Sequence, residues 1–527
     1  MKKNFFITAA FFCYTAVFAQ TGDAARFVET ITTADLKKHL TIIAGDEMEG
    51  RETGTPGQRK AAAYIETQYR NIGLNAPEAL NGFQQLYPLF RDSMISSQLK
   101  INDKPLLYGT DYIIPAGSAE TGKFNSKQLV FAGYGIDDSL YNDYNGLDVK
   151  GKIVLFFLGE PRKESNYLLT GTKRGSKWTY PGLSHKLAAA KKYGAAGVLV
   201  INPSQEIFSA RSIETSKKTG IIFQSLPSGD KAINFAILSH AHGKTILGNL
   251  FDSLLQQARA FEMLAGKSTG IKKIKVSGNY KKFRDTIYAS NIIGVVEGSD
   301  KKDEFVFITA HYDHLGKHDG KIYYGADDDG SGTCGVIEMA EAFTLAKKAG
   351  NGPRRSVVFM TVSGEEKGLW GSEYYSDHPV FPMEKTTVDL NIDMVGRIDT
   401  ERMMADSLNY IYVIGHDKLS SNLAPIGEDI NKKYTNLVLD YKFDDPNDQN
   451  RIYFRSDHYN FARKGVPILF YYDGMLQSDY HKPTDTVDKI YWDLYEKRVR
   501  LVFHTAWEIA NRDDMLKRDI PLQGGSR

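Results

Sequence analysis

Five short stretches of this sequence carry side chains that can bind a metal ion or move a proton. His311-Tyr312-Asp313-His314 follows the apolar run Phe305–Thr309, and Glu365-Glu366 follows Ser356–Val362. Asp393 ends the segment VDLNID, and Asp479-Tyr480-His481 comes after Val466–Phe470. The fifth stretch, Asp327-Asp328-Asp329, stands in a glycine-flanked turn just before a helical pattern at Thr333–Lys347. Cys13 and Cys334 are the only cysteines, too few for a cysteine zinc cluster. Imidazole and carboxylate without thiolate suit a catalytic zinc site, and the same donors accept manganese or cobalt. Each cluster has a plainer reading when taken alone. Three aspartates ahead of a helix can simply cap it and offset its dipole. They lack the alternating ligand spacing of a calcium loop. A paired glutamate is commonly an exposed pair, but Asp393 closes an apolar run, where a carboxylate needs a partner to offset its desolvation.

The joint placement of the clusters carries more weight than any one of them. Phe305–Thr309, Ser356–Val362, Val388–Ile392 and Val466–Phe470 are short apolar runs of the kind found in strands buried on both faces. They alternate with helical patterns, notably Thr333–Lys347, where Val336, Ile337, Ala340 and Phe343 share a face. This predicts a doubly wound sheet, whose ligands bind beyond the carboxyl ends of the strands. The clusters therefore converge on one crevice. Upstream, Pro56-Gly57 starts a helix that places Ala61, Tyr64, Ile65 and Tyr69 together. Residues 92–270 have a different texture. They hold strands at Gln128–Tyr134, Lys152–Leu158 and Ala196–Ile201 and a helix at His185–Gly194, which predicts a separate β-rich unit.

The chain has 527 residues, enough for two or three domains, and its 42% hydrophobic and 25% charged content is that of a globular protein. Its net charge is only +2, which argues against nucleic acid as a partner. Residues 1–19 combine Lys2 and Lys3 with an apolar run and end in Val17-Phe18-Ala19, the layout of a secretory signal peptide cut before Gln20. The protein is expected to be exported, to the periplasm or the extracellular space, and to keep no membrane span after cleavage.

Taken in order, AHYDHLG (310–316), GADDDGSG (325–332), GEEKGLWGS (364–372), LNIDMVGR (390–397), SDHYNF (456–461) and YHKPTDT (480–486) resemble the motifs of the co-catalytic di-zinc exopeptidases of peptidase family M28. That family includes secreted aminopeptidases. The resemblance covers about residues 290–490, and residues 92–270 resemble an inserted protease-associated domain. It implies a mixed, largely parallel α/β sheet with helices on both faces, the zinc exopeptidase fold. The expected division is a signal peptide at 1–19, a peptidase domain at 20–91 and 271–527, and the insert at 92–270.

The resemblance also implies a site with two zinc ions. His311 and Asp393 would hold one ion, Glu366 and His481 the other, and Asp328 would bridge them. Asp313 would orient His311, Glu365 would be the general base, and Tyr480 would steady the developing oxyanion. Two divalent ions would be balanced in charge by three carboxylates and one hydroxide, as a partly buried cluster requires. The expected activity is release of N-terminal residues from peptides. Two alternatives stay open on the same fold. A di-zinc carboxypeptidase would need a cation for the substrate carboxylate, and Arg397, Arg451, Arg455 and Arg463 lie near the motifs. A glutaminyl cyclase would use one zinc, which the full five-ligand set disfavours. The acidic segment Leu437–Asn450 reads as a solvated loop or as a lid that attracts an ammonium group.

Overall fold

The computed structural model describes residues 24–117, 121–180, 182–223, 233–266, 270–402, 406 and 408–522. The signal-peptide stretch 1–19 lies outside them. The chain forms two compact units, Met1–Tyr87 with Ala289–Arg527, and Pro88–Tyr288.

The first unit is built on a mixed sheet. Its elements, in chain order, are helices α1 (Thr33–Ile43) and α2 (Pro56–Ile72), strands β1 (Val276–Val296, whose last residues belong here) and β2 (Lys301–His311), helix α3 (Gly332–Lys348), and strands β3 (Arg355–Val362) and β4 (Thr386–Ile392). Strands β5 (Tyr410–Ile414), β6 (Val438–Asp440) and β7 (Ile468–Tyr472) and helix α4 (Trp492–Asn511) follow, and the helices Ala24–Val28, Trp370–Asp377, Leu423–Tyr434 and His458–Ala462 also belong to this unit. The strands lie in the order β6-β5-β7-β4-β2-β3-β1. The central four, β7, β4, β2 and β3, are mutually parallel, and β6 runs parallel to β5. The antiparallel pairs are β5 with β7 and β1 with β3. All four apolar runs of the sequence are thus neighbours in one largely parallel sheet.

Period-two alternation divides the sheet between two cores. Val306, Ile308 and Ala310 of β2 face a core shared with α1, α2, α3 and α4, whereas Phe305 and Phe307 face a second core with Tyr375, Phe461 and Phe470. Helices therefore cover both faces, and polar side chains are left to collect at the strand ends. Local signals set the helix limits. Thr55 caps α2, with its side chain accepting from the Gln58 N–H, Pro56 takes the first helical position, and Gly73 ends the helix at φ +92°. Ala61, Ile65 and Tyr69 are buried along one stripe, as the spacing predicts.

The second unit has a sheet in the order Ile271–Lys272, Leu129–Phe131, Ile153–Phe157, Gly197–Ile201, Phe235–Leu238, Tyr112–Ile113. The three predicted strands belong to it, and the helix expected at His185–Gly194 is observed at Leu183–Lys192. Helices Ala210–Lys217, His240–Leu247 and Phe251–Arg259 make this unit more helical than the sequence suggests. The first of these, ARSIETSK, buries only Ser216, so it lacks the apolar stripe that would reveal it. Among the described residues no helix is long and apolar enough to cross a membrane.

Candidate metal centre

Each cluster occupies the position the strand order demands. His311 is the last residue of β2, and Thr309 pairs with Asn391, so the histidine lies level with Asp393 just beyond β4. Glu365 and Glu366 follow β3 by three and four residues, and His481 lies in the segment after β7. Asp328 comes from the turn ahead of α3.

The five sequence-predicted ligands stand together. His311 Nε2 is 3.3 Å from Asp328 Oδ1 and 3.5 Å from Asp393 Oδ1. His481 Nε2 is 3.2 Å from Asp328 Oδ2 and 3.0 Å from Glu366 Oε2. Asp328 thus turns one oxygen to each histidine. Glu365 Oε2 lies 3.9 Å from His311 Nε2. Among the described residues three groups have the spacing of a metal site, and two of them lie here, His311 with Glu365 and Asp393, and His314 with Asp328 and Glu366; the third is His416 with Asp417 and Asp444.

The backbone around the ligands is tied down by residues that do not face the centre. The Asp329 carboxylate accepts from the N–H groups of His311, Gly332 and Met394, at 3.2, 2.8 and 3.1 Å, and so joins three segments that carry candidate ligands. Asp485 accepts from the Asp327 and Asp328 N–H groups at 3.1 Å, and Asp327 accepts from the Gly396 N–H at 2.8 Å. Arg51, fully buried, donates to the carbonyls of Tyr312, Ile43, Tyr324 and Gly325 at 2.6–2.9 Å. Hydrogen bonds from a charged group contribute roughly 1.5–3 kcal/mol each, which offsets the cost of burying the guanidinium.

Asp313 acts on His311 differently from the expectation. His311 Nδ1 is 3.1 Å from the Asp313 carbonyl oxygen but 3.7 Å from its carboxylate, so the main chain holds the ring. The carboxylate instead accepts from Thr53 Oγ1 at 2.6 Å and from the Glu365 N–H at 3.2 Å, which fixes the start of the glutamate pair. Tyr480 stacks on the His481 ring, with centroids 3.8 Å apart, and its hydroxyl accepts from Arg455 Nη2 at 2.9 Å. Tyr480, Arg455, Glu365, Asp328 and Asp393 line one cavity, walled on its apolar side by Phe470 and Tyr472. Of the other arginines, Arg397 pairs with Asp479 at 3.0 Å, and Arg451 lies over the Phe454 ring. The acidic segment is no lid at Asp444, which is buried and accepts from the Gly415 N–H and from Lys418 Nζ at 2.7 and 2.8 Å.

The electrostatics call for a cation. Burial pulls the His481 imidazole down, but the Asp328 and Glu366 carboxylates beside it outweigh that and lift the ring from 6.5 to about 10. Burial likewise works against the His311 imidazolium, yet Asp393 and Glu365 hold it well above the ordinary histidine range. Burial, reinforced by Asp393 and Glu366 and opposed by His311, pushes the Glu365 carboxyl well above the usual range. His311 Nε2, Asp328 Oδ2, Glu366 Oε1 and both ring nitrogens of His314 are buried without a hydrogen-bond partner. Buried nitrogen and oxygen lone pairs among surplus carboxylates fit zinc or a similar divalent ion.

The residues missed in the sequence are Arg51, Asp329, Asp485 and His314. His314 was visible in the His-Tyr-Asp-His run but had no periodicity to mark its direction. The signals for the others were Arg51 beside a helix start and the aspartates flanking motif residues.

Residues 291–506 match the profile of peptidase family M28, and residues 124–246 match that of the PA domain. A probable leucine aminopeptidase of Arthroderma otae is 27% identical over 251 residues, covering 46% of this chain and 62% of its own length. A glutamate carboxypeptidase 2 homolog of Caenorhabditis elegans is 24% identical over 424 residues, covering 71% of this chain and 52% of that protein. The chain thus spans a little over half the length of these curated relatives. A solved aminopeptidase from Aneurinibacillus sp. strain AM-1 aligns over 94% of this chain and 98% of its own, with 19% identity and a TM-score of 0.49. Residues 291–506 are thus similar to peptidase family M28, and residues 124–246, ahead of them in the chain, to the PA domain.

Proposed function

We propose that this protein is an exported, metal-dependent aminopeptidase that removes N-terminal residues from peptides. The observation that carries this is the sharing of Asp328 between two histidine–carboxylate groups, with Glu365 beside them. Residues 92–270 are read as the inserted PA domain, and export rests on the pattern of residues 1–19. Two zinc ions fit the residues, one with His311, Asp328 and Asp393, the other with Asp328, Glu366 and His481. Such ions supply Lewis-acid polarisation of a carbonyl and lower the pKa of water.

The chain's own groups do the rest. Glu365 takes a proton from the attacking water and returns it to the departing amine. Arg455 can only donate to the Tyr480 oxygen, which leaves the Tyr480 O–H free to donate to the oxygen where negative charge develops. Asp313 steadies both His311 and the start of the Glu365-Glu366 pair.

A carboxypeptidase is the second reading, favoured by one observation, the presence of Arg455 in the cavity wall. Mass spectrometry of a peptide pool separates the two. The pool contains free, N-acetylated and C-amidated copies, incubated with and without a chelator. Stepwise loss of N-terminal residues, blocked by acetylation and by the chelator, is expected. Trimming from the C-terminus, blocked by amidation, would replace the aminopeptidase with a carboxypeptidase.

A further inference from the structure

His314 is the one imidazole at the centre to which the five-ligand reading gives no role. It is fully buried, and neither ring nitrogen makes a hydrogen bond. Its Nδ1 lies 2.7 Å from Glu366 Oε1 and 3.9 Å from Asp328 Oδ2. His481 Nε2 meets the same two carboxylates at 3.0 and 3.2 Å. The two rings, with centroids 6.0 Å apart, thus flank one pair of acids. The ring of His314 has little freedom. A Cβ at Gly325 would come within 2.5 Å of its Cγ, so the glycine is the space the ring fills, and the His314 N–H donates to the Arg51 carbonyl.

A nitrogen 2.7 Å from a carboxylate oxygen, yet out of line for a hydrogen bond, is poorly explained as a simple pair. Two ligands of one ion approach each other in this way, because both lone pairs point at a third position. For bonds of about 2.0–2.1 Å in a tetrahedral site, neighbouring donor atoms lie about 3.3 Å apart. The separations from His314 and His481 to the two carboxylates bracket that distance.

We propose that His314 Nδ1 is a fourth protein ligand at the metal position of Asp328, Glu366 and His481. This rests on the metal-site reading above and adds to it. It makes the two positions unequal. The second offers two imidazoles and two carboxylates, while the first offers one imidazole with Asp328 and Asp393. The second position is therefore the one that fills first.

Titration of the metal-free full chain with cobalt(II) tests this. His314→Phe keeps a ring against Gly325 but removes the nitrogens. In that variant the first equivalent of cobalt is expected to bind at least about tenfold more weakly, with a changed visible d–d band, while the second binds as before. Unchanged affinity and an unchanged band would reduce His314 to a packing residue and leave the metal site standing. A wild-type chain that takes up no cobalt would overturn both. Should the variant fail to fold, the cobalt-loaded wild type still decides the matter. Three paramagnetically shifted, exchangeable imidazole N–H signals are expected, from His311, His314 and His481, and only two would refute the assignment.

Discussion

Glu365→Gln is expected to keep its metal ions and lose turnover by roughly 10²–10⁴-fold, the usual contribution of a positioned general base. The substitution preserves shape and removes only the ability to take a proton. The position is well prepared for that single function. The Glu365 N–H is anchored on Asp313, whose other oxygen is held by Thr53, and the carboxylate stands 3.9 Å from His311 Nε2 at the mouth of the metal pair. Glu366, one residue on, faces His481 and His314 instead. The check is kcat on a susceptible peptide, with metal content measured on the same sample. Near-normal turnover by a metal-replete Glu365→Gln protein would remove Glu365 from the mechanism.

Asp328→Ala should fail one step earlier, by losing metal. The Asp328 carboxylate reaches His311 with one oxygen and His481 with the other, so its removal takes a ligand from both positions at once. It also leaves His311 and His481 facing fewer anions, which weakens the field that draws a cation. Loss of an outer-shell partner commonly costs 10–100-fold in metal affinity, so loss of a shared ligand is expected to exceed about 100-fold. The turn itself should survive, because Asp485 holds the Asp327 and Asp328 N–H groups and Asp329 holds its three, none of which uses the Asp328 side chain. Competition with a chromogenic chelator gives the affinity. Retention of both ions at wild-type affinity would refute the shared role.

The sheet was legible because it is buried on both faces. Phe305–Thr309 and Ser356–Val362 are mostly apolar runs, Val388–Ile392 sets Asp389 and Asn391 between its apolar residues, and each forms the core of an observed strand. The clusters could be placed because the sequence sets each beside a strand end or the turn before α3, but the five candidate ligands within them were named through the resemblance to family M28. What could not be read was the scaffold of the centre. Arg51 reaches carbonyls more than 250 residues away, at Tyr312, Tyr324 and Gly325, and no periodicity encodes such contacts. His314 lies past the end of β2, where the strand alternation no longer says which way a side chain points. Asp313 was read through its carboxylate, but the hydrogen bond to His311 runs through its carbonyl, a choice that depends on the local turn. Arg397 and Arg455 looked alike in sequence. Only the fold pairs one with Asp479 and sets the other in the cavity wall.

Two adjoining metal positions that share Asp328 are the centre of the proposed mechanism, and anomalous diffraction at the zinc edge from zinc-soaked crystals of the mature protein examines them most directly. Two peaks are expected, one among His311, Asp328 and Asp393, the other among Asp328, Glu366 and His481. A single peak, or none at these residues, would contradict a co-catalytic pair.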